Sequence, residues 1–368
     1  MRVQFNTVLK DVTRKGTKIQ TDEYLTEGKF PIIDQGNNDI AGYRDDETGL
    51  FTDVPAIVFG DHTRIVKYIT EPFFLGADGV KVLVPIDRTM NCKYLYYQLL
   101  SAKIPDTGYN RHFKWVKELE FQLPSRNEQD DVVKRLDKLC VVISARQQQL
   151  AKLDELVKAR FVEMFGDMLL NPMAWPEVAL ETLADIVSGI TKGRKVKEQT
   201  LVEVPYMAVS NVKDGYIDWT TVKTILATER EIEQYCLFPD DVLMTEGGDP
   251  DKVGRGAIIK EPLENCIHQN HIFRVRLDKG KILPTFFTEY LQHQKAKRYF
   301  LGCAKQTTGI ASINMKQLKA LAVLLPPLDL QQKFDEFVRQ VELVSCSIQN
   351  YLEQMETLKK ALMQQYFG

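Results

Sequence analysis

The sequence is first informative in what it lacks. Its six cysteines, Cys92, Cys140, Cys236, Cys266, Cys303 and Cys346, are scattered and form no CxxC pair. This argues for reduced thiols rather than a disulfide framework. No charge sign dominates, because the 27% of charged residues sum to only -2. Composition therefore predicts neither a basic nor an acidic tail, while leaving room for a local basic face. No apolar run approaches a membrane span, and the opening MRVQFNTVLKDV has no signal-peptide core. A soluble, cytoplasmic protein with no membrane partner is expected.

Catalytic signatures are missing as well. There is no GxxxxGK[ST] phosphate loop and no glycine-rich cofactor loop after a strand. NPMAW at Asn171 lacks the second proline of an amino-methyltransferase motif. In PDDVLMTEGG no lysine follows Glu246 at nuclease spacing, so an edge strand and turn are expected there. In CIHQNHIF, strand alternation puts Cys266 and His268 on one face and His271 on the other. A zinc site is not expected, and neither is an enzyme acting alone.

What is present is a repeat. The 368 residues, 44% of them apolar, suit two or three domains with cores of their own. An offset of 202 residues, fixed by Phe165-Gly166 and Phe367-Gly368, aligns residues 123–166 with 325–368 without a gap. Leu123-Pro124 matches Leu325-Pro326, Gln129 matches Gln331, and Lys158-Ala159 matches Lys360-Ala361.

Neither copy has a proline or glycine between its opening and its end, and apolar residues recur at three- and four-residue steps, so both read as helix. A seam of Leu136, Leu139, Ile143, Leu150, Leu153, Val157 and Met164 runs along the first. Val338, Val341, Ile348, Leu352, Met355 and Leu362 form the second. Asn127 and Asp329 are expected N-caps, and glycine stops each helix. About 40 residues at ~1.5 Å rise make a rod of roughly 60 Å. The two rods are expected to pair antiparallel as a coiled coil within the chain.

Residues 1–122 and 174–324 carry turn residues among short β-branched and aromatic runs, such as VPAIVFG, GVKVLVP and HIFRVRL. Three landmarks recur in order. An early helix-like stretch, Leu9-Lys10-Asp11-Val12, matches Leu183-Ala184-Asp185-Ile186. A proline-led strand follows, PIIDQGN against PYMAVSN, and then a Thr-Gly loop leads into Leu-Pro. The expected class is α+β: two α/β domains, 1–122 and 174–324, each followed by a helical spacer, 123–166 and 325–368. A linker over 167–173 is marked by Asn171-Pro172, and an internal pseudo-two-fold repeat relates the halves.

This plan, with spacers opening LPSRNEQ and LPPLDLQQ, resembles the specificity subunit of type I restriction–modification systems across the whole length. The second opening departs from the family pattern, with Leu330 where a glutamate usually precedes the glutamine. The resemblance implies two target-recognition domains, each reading one half of an asymmetric bipartite site in double-stranded DNA. It implies that the helices set the half-site spacing, which on DNA is a rigid geometric quantity. It further implies two docked methyltransferase (modification) subunits, which DNA-translocating restriction subunits join. S-adenosylmethionine and ATP would then belong to those partners, with no cofactor in this chain. A coiled-coil scaffold that assembles protein partners without reading DNA is the alternative; it would show no salt-dependent DNA binding.

If DNA is the ligand, Lys and Arg should hold phosphates while Arg, Asn and Gln reach base edges. In the first domain the candidates are Arg14, Lys15 and Lys18, then His62 and Arg64 of DHTR, then Tyr109, Asn110, Arg111, His112 and Lys114 of TGYNRHFKW. In the second they are Lys192, Arg194, Lys195 and Lys197, then Lys252 and Arg255 among glycines, then Lys305, Gln306, Thr307 and Thr308. Any one of these clusters taken alone also fits an ordinary solvated loop.

Overall fold

The computed structural model describes residues 2–76, 79–194, 200–249, 253–307 and 310–368. Two long helices, Arg126–Phe165 and Leu328–Phe367, each run for 40 residues. The first is capped by Ser125, two residues before the expected Asn127. Its hydroxyl accepts the Glu128 N–H at 3.4 Å, and the Glu128 carboxylate accepts the Ser125 N–H at 2.9 Å. In the second copy Pro327 stands for Ser125 and Leu330 for Glu128, so both halves of that capping box are lost together. There the Pro327 carbonyl accepts the N–H groups of Leu330 and Gln331 instead. Asp329 lies within the first turn, where its charge suits the helix dipole, rather than at the cap.

What both starts keep is the glutamine. The side-chain oxygen of Gln129 accepts the Asn91 N–H at 2.9 Å, and its amide nitrogen donates to the Pro124 carbonyl at 2.9 Å. Gln331 does the same with the Leu283 N–H at 2.9 Å and the Pro326 carbonyl at 2.8 Å. Both amides are buried. Each glutamine thus ties the helix start to the N-terminal end of a helix in the preceding domain, Cys92–Ser101 or Pro284–Gln292.

The chain divides into two compact units, Met1–Gln148 with Gln349–Gly368, and Gln149–Ile348. Each unit takes the opening half of one long helix and the closing half of the other. In the first, a four-stranded antiparallel sheet has the order Leu9–Asp11, Val80–Pro85, Ala56–Gly60, Val66–Ile69. A three-stranded sheet centres on Phe30–Ile33, antiparallel to Gly42–Arg44 and parallel to Phe74–Leu75. Arg2–Gln4 pairs with Glu120–Gln122.

The second unit repeats this order and sense. Its four-stranded sheet runs Ala184–Ser188, Ile272–Leu277, Val242–Thr245, Gly256–Ile258. Its three-stranded sheet centres on Val202–Met207, antiparallel to Lys223–Ala227 and parallel to Ile267–His268. Glu177–Ala179 pairs with Ala322–Leu324. The duplication therefore reaches through the domains, although their sequences have diverged.

Two local expectations are corrected here. Leu9–Asp11 and Ala184–Ser188 are strands, each following a single helical turn, Phe5–Val8 or Leu180–Thr182. Four residues cannot establish a helical period. Val242–Thr245 is an interior strand, buried along its whole length, and not an edge. It therefore lacks the polar alternation that marks a half-exposed strand.

The helical seam is buried within each unit. Leu136, Leu139, Ile143, Val338, Ile348 and Leu352 are buried, and Leu150, Leu153, Val157, Met164, Val341, Met355 and Leu362 half-buried. The pairing is antiparallel. In the first unit Arg135, early in one helix, donates to the Tyr366 hydroxyl, late in the other, at 3.3 Å. In the second, the Arg160 guanidinium lies 5.7 Å from the Phe337 ring centroid. The aromatic close of each repeat packs on the domain helix that precedes the other: Phe367 meets Tyr94 at 5.3 Å, and Phe165 meets Phe286 at 4.9 Å.

Candidate nucleic-acid interface

In the first unit, the chain leaving the central strand at Gly60 enters Asp61-His62-Thr63-Arg64, which packs against the Thr-Gly loop. The Asp61 N–H donates to the Gly79 carbonyl at 2.6 Å, and the Asp61 carbonyl accepts the His112 N–H at 2.7 Å. The Asp61 carboxylate turns inward and accepts the Phe113 N–H at 2.7 Å. On this buried frame stands an aromatic pair, half-buried His62 and exposed Tyr109. Tyr109 is 90% exposed, and its ring stacks on His62 at 4.8 Å and 10°. His62 Nδ1 lies 3.2 Å from the Asn110 carbonyl. Its main-chain N–H donates to Gln35 Oε1 at 3.1 Å.

Arg64, at a φ of 63°, pairs with Asp106 at 2.7 Å and anchors the other flank of the Thr-Gly loop. The Gly108 N–H and then the Arg64 guanidinium hold Asp106 below the usual carboxylate range. His112 does not fit the role expected from the sequence. It is 0% exposed, with Nδ1 3.0 Å from the Asp61 carbonyl and Nε2 near Thr107. Burial turns it into a strut of the loop and leaves it no face for a ligand. Arg111 and Lys114 are exposed, with Lys114 lying 5.0 Å from the Trp115 ring. Arg14 is exposed, Lys15 pairs loosely with Asp53 at 3.8 Å, and Lys18 lies on a bridge to Leu75.

In the second unit, Lys305–Thr307 pairs with Ile310–Ser312, which pairs in turn with Gly247–Gly248. Ile310–Ser312 thus stands between Lys305–Thr307 and the EGG turn, and the one small sheet joins two clusters that are far apart in sequence. Lys305 and Lys192 are exposed. Arg255 is half-buried, and its Nε has no hydrogen-bond partner among the described residues. Arg194 is a correction: its guanidinium grips the Glu231 carboxylate and donates to the Leu226 carbonyl. Those bonds hold Glu231 down to about 2 and leave Arg194 committed to the fold. Lys195, Lys197, Lys252 and Thr308 lie outside the described residues.

Sequence reasoning missed Gln35, whose carbonyl also accepts the Thr63 hydroxyl at 2.7 Å; no local pattern marks it. It also passed over Glu246 and His271 as a pair, since 25 residues separate them. Cys266 and His268 are buried and His271 is exposed. Among the described residues no cluster of metal-ligating side chains occurs, and no helix is long and apolar enough to cross a membrane.

Comparison with known proteins places this geometry. A putative type I restriction enzyme MjaX specificity subunit of Methanocaldococcus jannaschii is 28% identical over 50% of this chain and 44% of its own length. The EcoKI specificity subunit of Escherichia coli is 22% identical over 68% of this chain and 57% of its own. The matched part thus spans about half the length of these relatives. The solved S subunit of a type I restriction–modification system from M. genitalium covers 100% of this chain and 96% of its own. Its TM-score is 0.62 at 17% identity, a likeness of fold. The model of the type I restriction modification DNA specificity domain matches residues 6–155 and 172–355, one copy for each half of the repeat. The chain belongs to the type I restriction–modification DNA specificity family.

Proposed function

We propose that this chain is the DNA-recognition subunit of a type I restriction–modification complex and is not itself catalytic. Each domain reads one half of an asymmetric, bipartite target, the long helices set the gap, and two methyltransferase subunits dock on the repeated helical surface. The observation that carries this reading is a duplicated frame with unlike exposed side chains. The same strands and loop bonds recur in both domains, yet the loops of one carry Tyr109 stacked on His62 and those of the other carry His271 paired with Glu246. Two equal frames with different faces suit two different half-sites.

The docking of two like partners is supported by exposed apolar residues that obey the repeat. Val141, Val142 and Leu156 are exposed, and so are their counterparts Leu343, Val344 and Leu358. Large apolar side chains left in water at matched positions mark interaction sites. S-adenosylmethionine and ATP are assigned to the partner subunits, because this chain carries no motif for either.

The test is to co-express the chain with a type I methyltransferase subunit and map methylated adenines across the genome. A single gapped, asymmetric motif that depends on this chain supports the reading, and exchanging residues 1–122 should then change only one half of it. A stable complex with no chain-dependent motif would favour a protein scaffold instead.

A further inference from the structure

Main-chain bonds allow loop positions to be matched that the two sequences do not align. Gly60 faces Val80 across its ladder as Thr245 faces Ile272. The next residue, Asp61 or Glu246, donates its N–H to the residue before that partner, Gly79 at 2.6 Å or His271 at 3.0 Å. The carbonyls of Asp61 and Glu246 accept the N–H of His112 at 2.7 Å and of Ile313 at 2.8 Å. Asp61 thus corresponds to Glu246, Gly79 to His271, and His112 to Ile313.

The side chains at these positions are used in opposite ways. In the first domain the carboxylate and the imidazole point inward, Asp61 accepting the Phe113 N–H and His112 Nδ1 lying on the Asp61 carbonyl, while Gly79 presents nothing. In the second, apolar Ile313 fills the interior. Glu246 turns outward and takes the imidazole from the glycine position, with His271 Nδ1 at 2.6 Å from its carboxylate. The His271 side chain is 56% exposed. An exposed pair of this kind adds little to stability, so its geometry points to another use.

We propose that His271 is a base-contacting specificity determinant of the second recognition domain, with Glu246 as its positioning residue. The proposal rests on the reading of the chain as a DNA-recognition subunit. With Nδ1–H given to the carboxylate, the neutral ring has Nε2 as its remaining polar atom, and that atom is an acceptor. It matches an exocyclic amino group at a base edge, adenine N6 or cytosine N4. Without DNA that lone pair accepts from Asn270 Nδ2 at 3.4 Å, a long bond that a base amino group would replace, which frees the Asn270 amide for a neighbouring contact. The Gly247–Gly248 strand at this edge has no side chains to keep a duplex away.

The experiment uses the complete complex with its methyltransferase partner and compares wild type, His271→Ala and Glu246→Gln. Adenine-methylation mapping should show both variants relaxing discrimination by about tenfold at one and the same position of one half-site, with the other half unchanged. A wild-type motif retained by both variants would overturn the assignment. Should His271→Ala lose methylation altogether, the purified complex is titrated with oligonucleotides carrying each base at each position of that half. Affinity that becomes indifferent to the base at one position supports the role, and an equal loss for every oligonucleotide refutes it. If wild type itself gives no chain-dependent motif, the parent reading fails instead, and that result is distinct from either outcome above.

Discussion

At the scale of single residues, the side chains with most structural effect are buried polar ones. Gln129 and Gln331 each satisfy a main-chain donor and acceptor that would otherwise be orphaned where a domain meets its helix. Replacing Gln331 with Leu keeps the volume and strands those groups, so it should cost about 1–3 kcal/mol in urea unfolding. The second helix start can also be improved. Pro327→Ser supplies the missing hydroxyl cap and should add about 1 kcal/mol, whereas Leu330→Glu would complete the box only by removing a side chain packed on the second unit's core.

Two titratable groups in the second unit, half-buried Glu289 and fully buried His268, give opposite pH slopes. Burial pushes the Glu289 carboxyl up to about 7, with nearby Lys158 opposing and Asp154 and Asp214 reinforcing the shift. The folded form holds its proton where the unfolded chain has released it, so this group's contribution to stability falls as pH rises from about 4.5 to about 7. Burial lowers His268 to about 4, and its contribution falls as pH drops from about 6.5 to that value. Glu289→Gln should therefore gain on wild type through pH 5 to 7 and hold its advantage above, by roughly 1–3 kcal/mol in urea midpoints taken across that range.

At the scale of elements, the long helices separate stability from assembly. Leu136 lies at 0% exposure within the first unit's core, and Leu343 is 73% exposed. Leu136→Ala should cost about 2–5 kcal/mol through the cavity it leaves. Leu343→Ala should leave the unfolding midpoint within about 0.5 kcal/mol of wild type while weakening co-purification with the methyltransferase subunit. If Leu343→Ala destabilises the chain as much as Leu136→Ala, the exposed row belongs to the fold and not to a partner. The helical period, the glycine stop and the antiparallel seam were all legible, because a helix is built from neighbours in sequence and the repeat printed its pattern twice. The first cap was misplaced by two residues, since Ser125 and Asn127 are both good cap formers and the carboxylate that decides between them is Glu128.

At the scale of the whole molecule, the near-neutral charge of -2 means that, on the proposed reading, DNA affinity has to come from local clusters. Binding of the methyltransferase complex to its target should fall steeply with salt, by a factor of about 10³ or more between 50 and 200 mM if six or more phosphates are held. A salt-insensitive interaction would count against the DNA reading. The same neutrality made individual basic residues poor guides from sequence. Arg194 and Arg64 stood among the candidate DNA contacts, and each is held by an acidic residue far along the chain, Glu231 or Asp106.

The division between what sequence and tertiary structure decide follows from the range of the forces involved. Helical period, capping chemistry and the 202-residue repeat are local or duplicated patterns, and they were enough to infer two like halves, the paired rods and the family. The inward turn of Asp61 and His112 and the outward turn of Glu246 with His271 depend on hydrogen bonds between residues 18 to 67 positions apart, and strand order depends on ladders such as that of Leu9 with Pro85. No pattern among neighbours records such bonds. Only the folded sheets bring those groups within reach of one another, and so only the tertiary structure could show which polar side chains are spent inside the frame and which are left facing out.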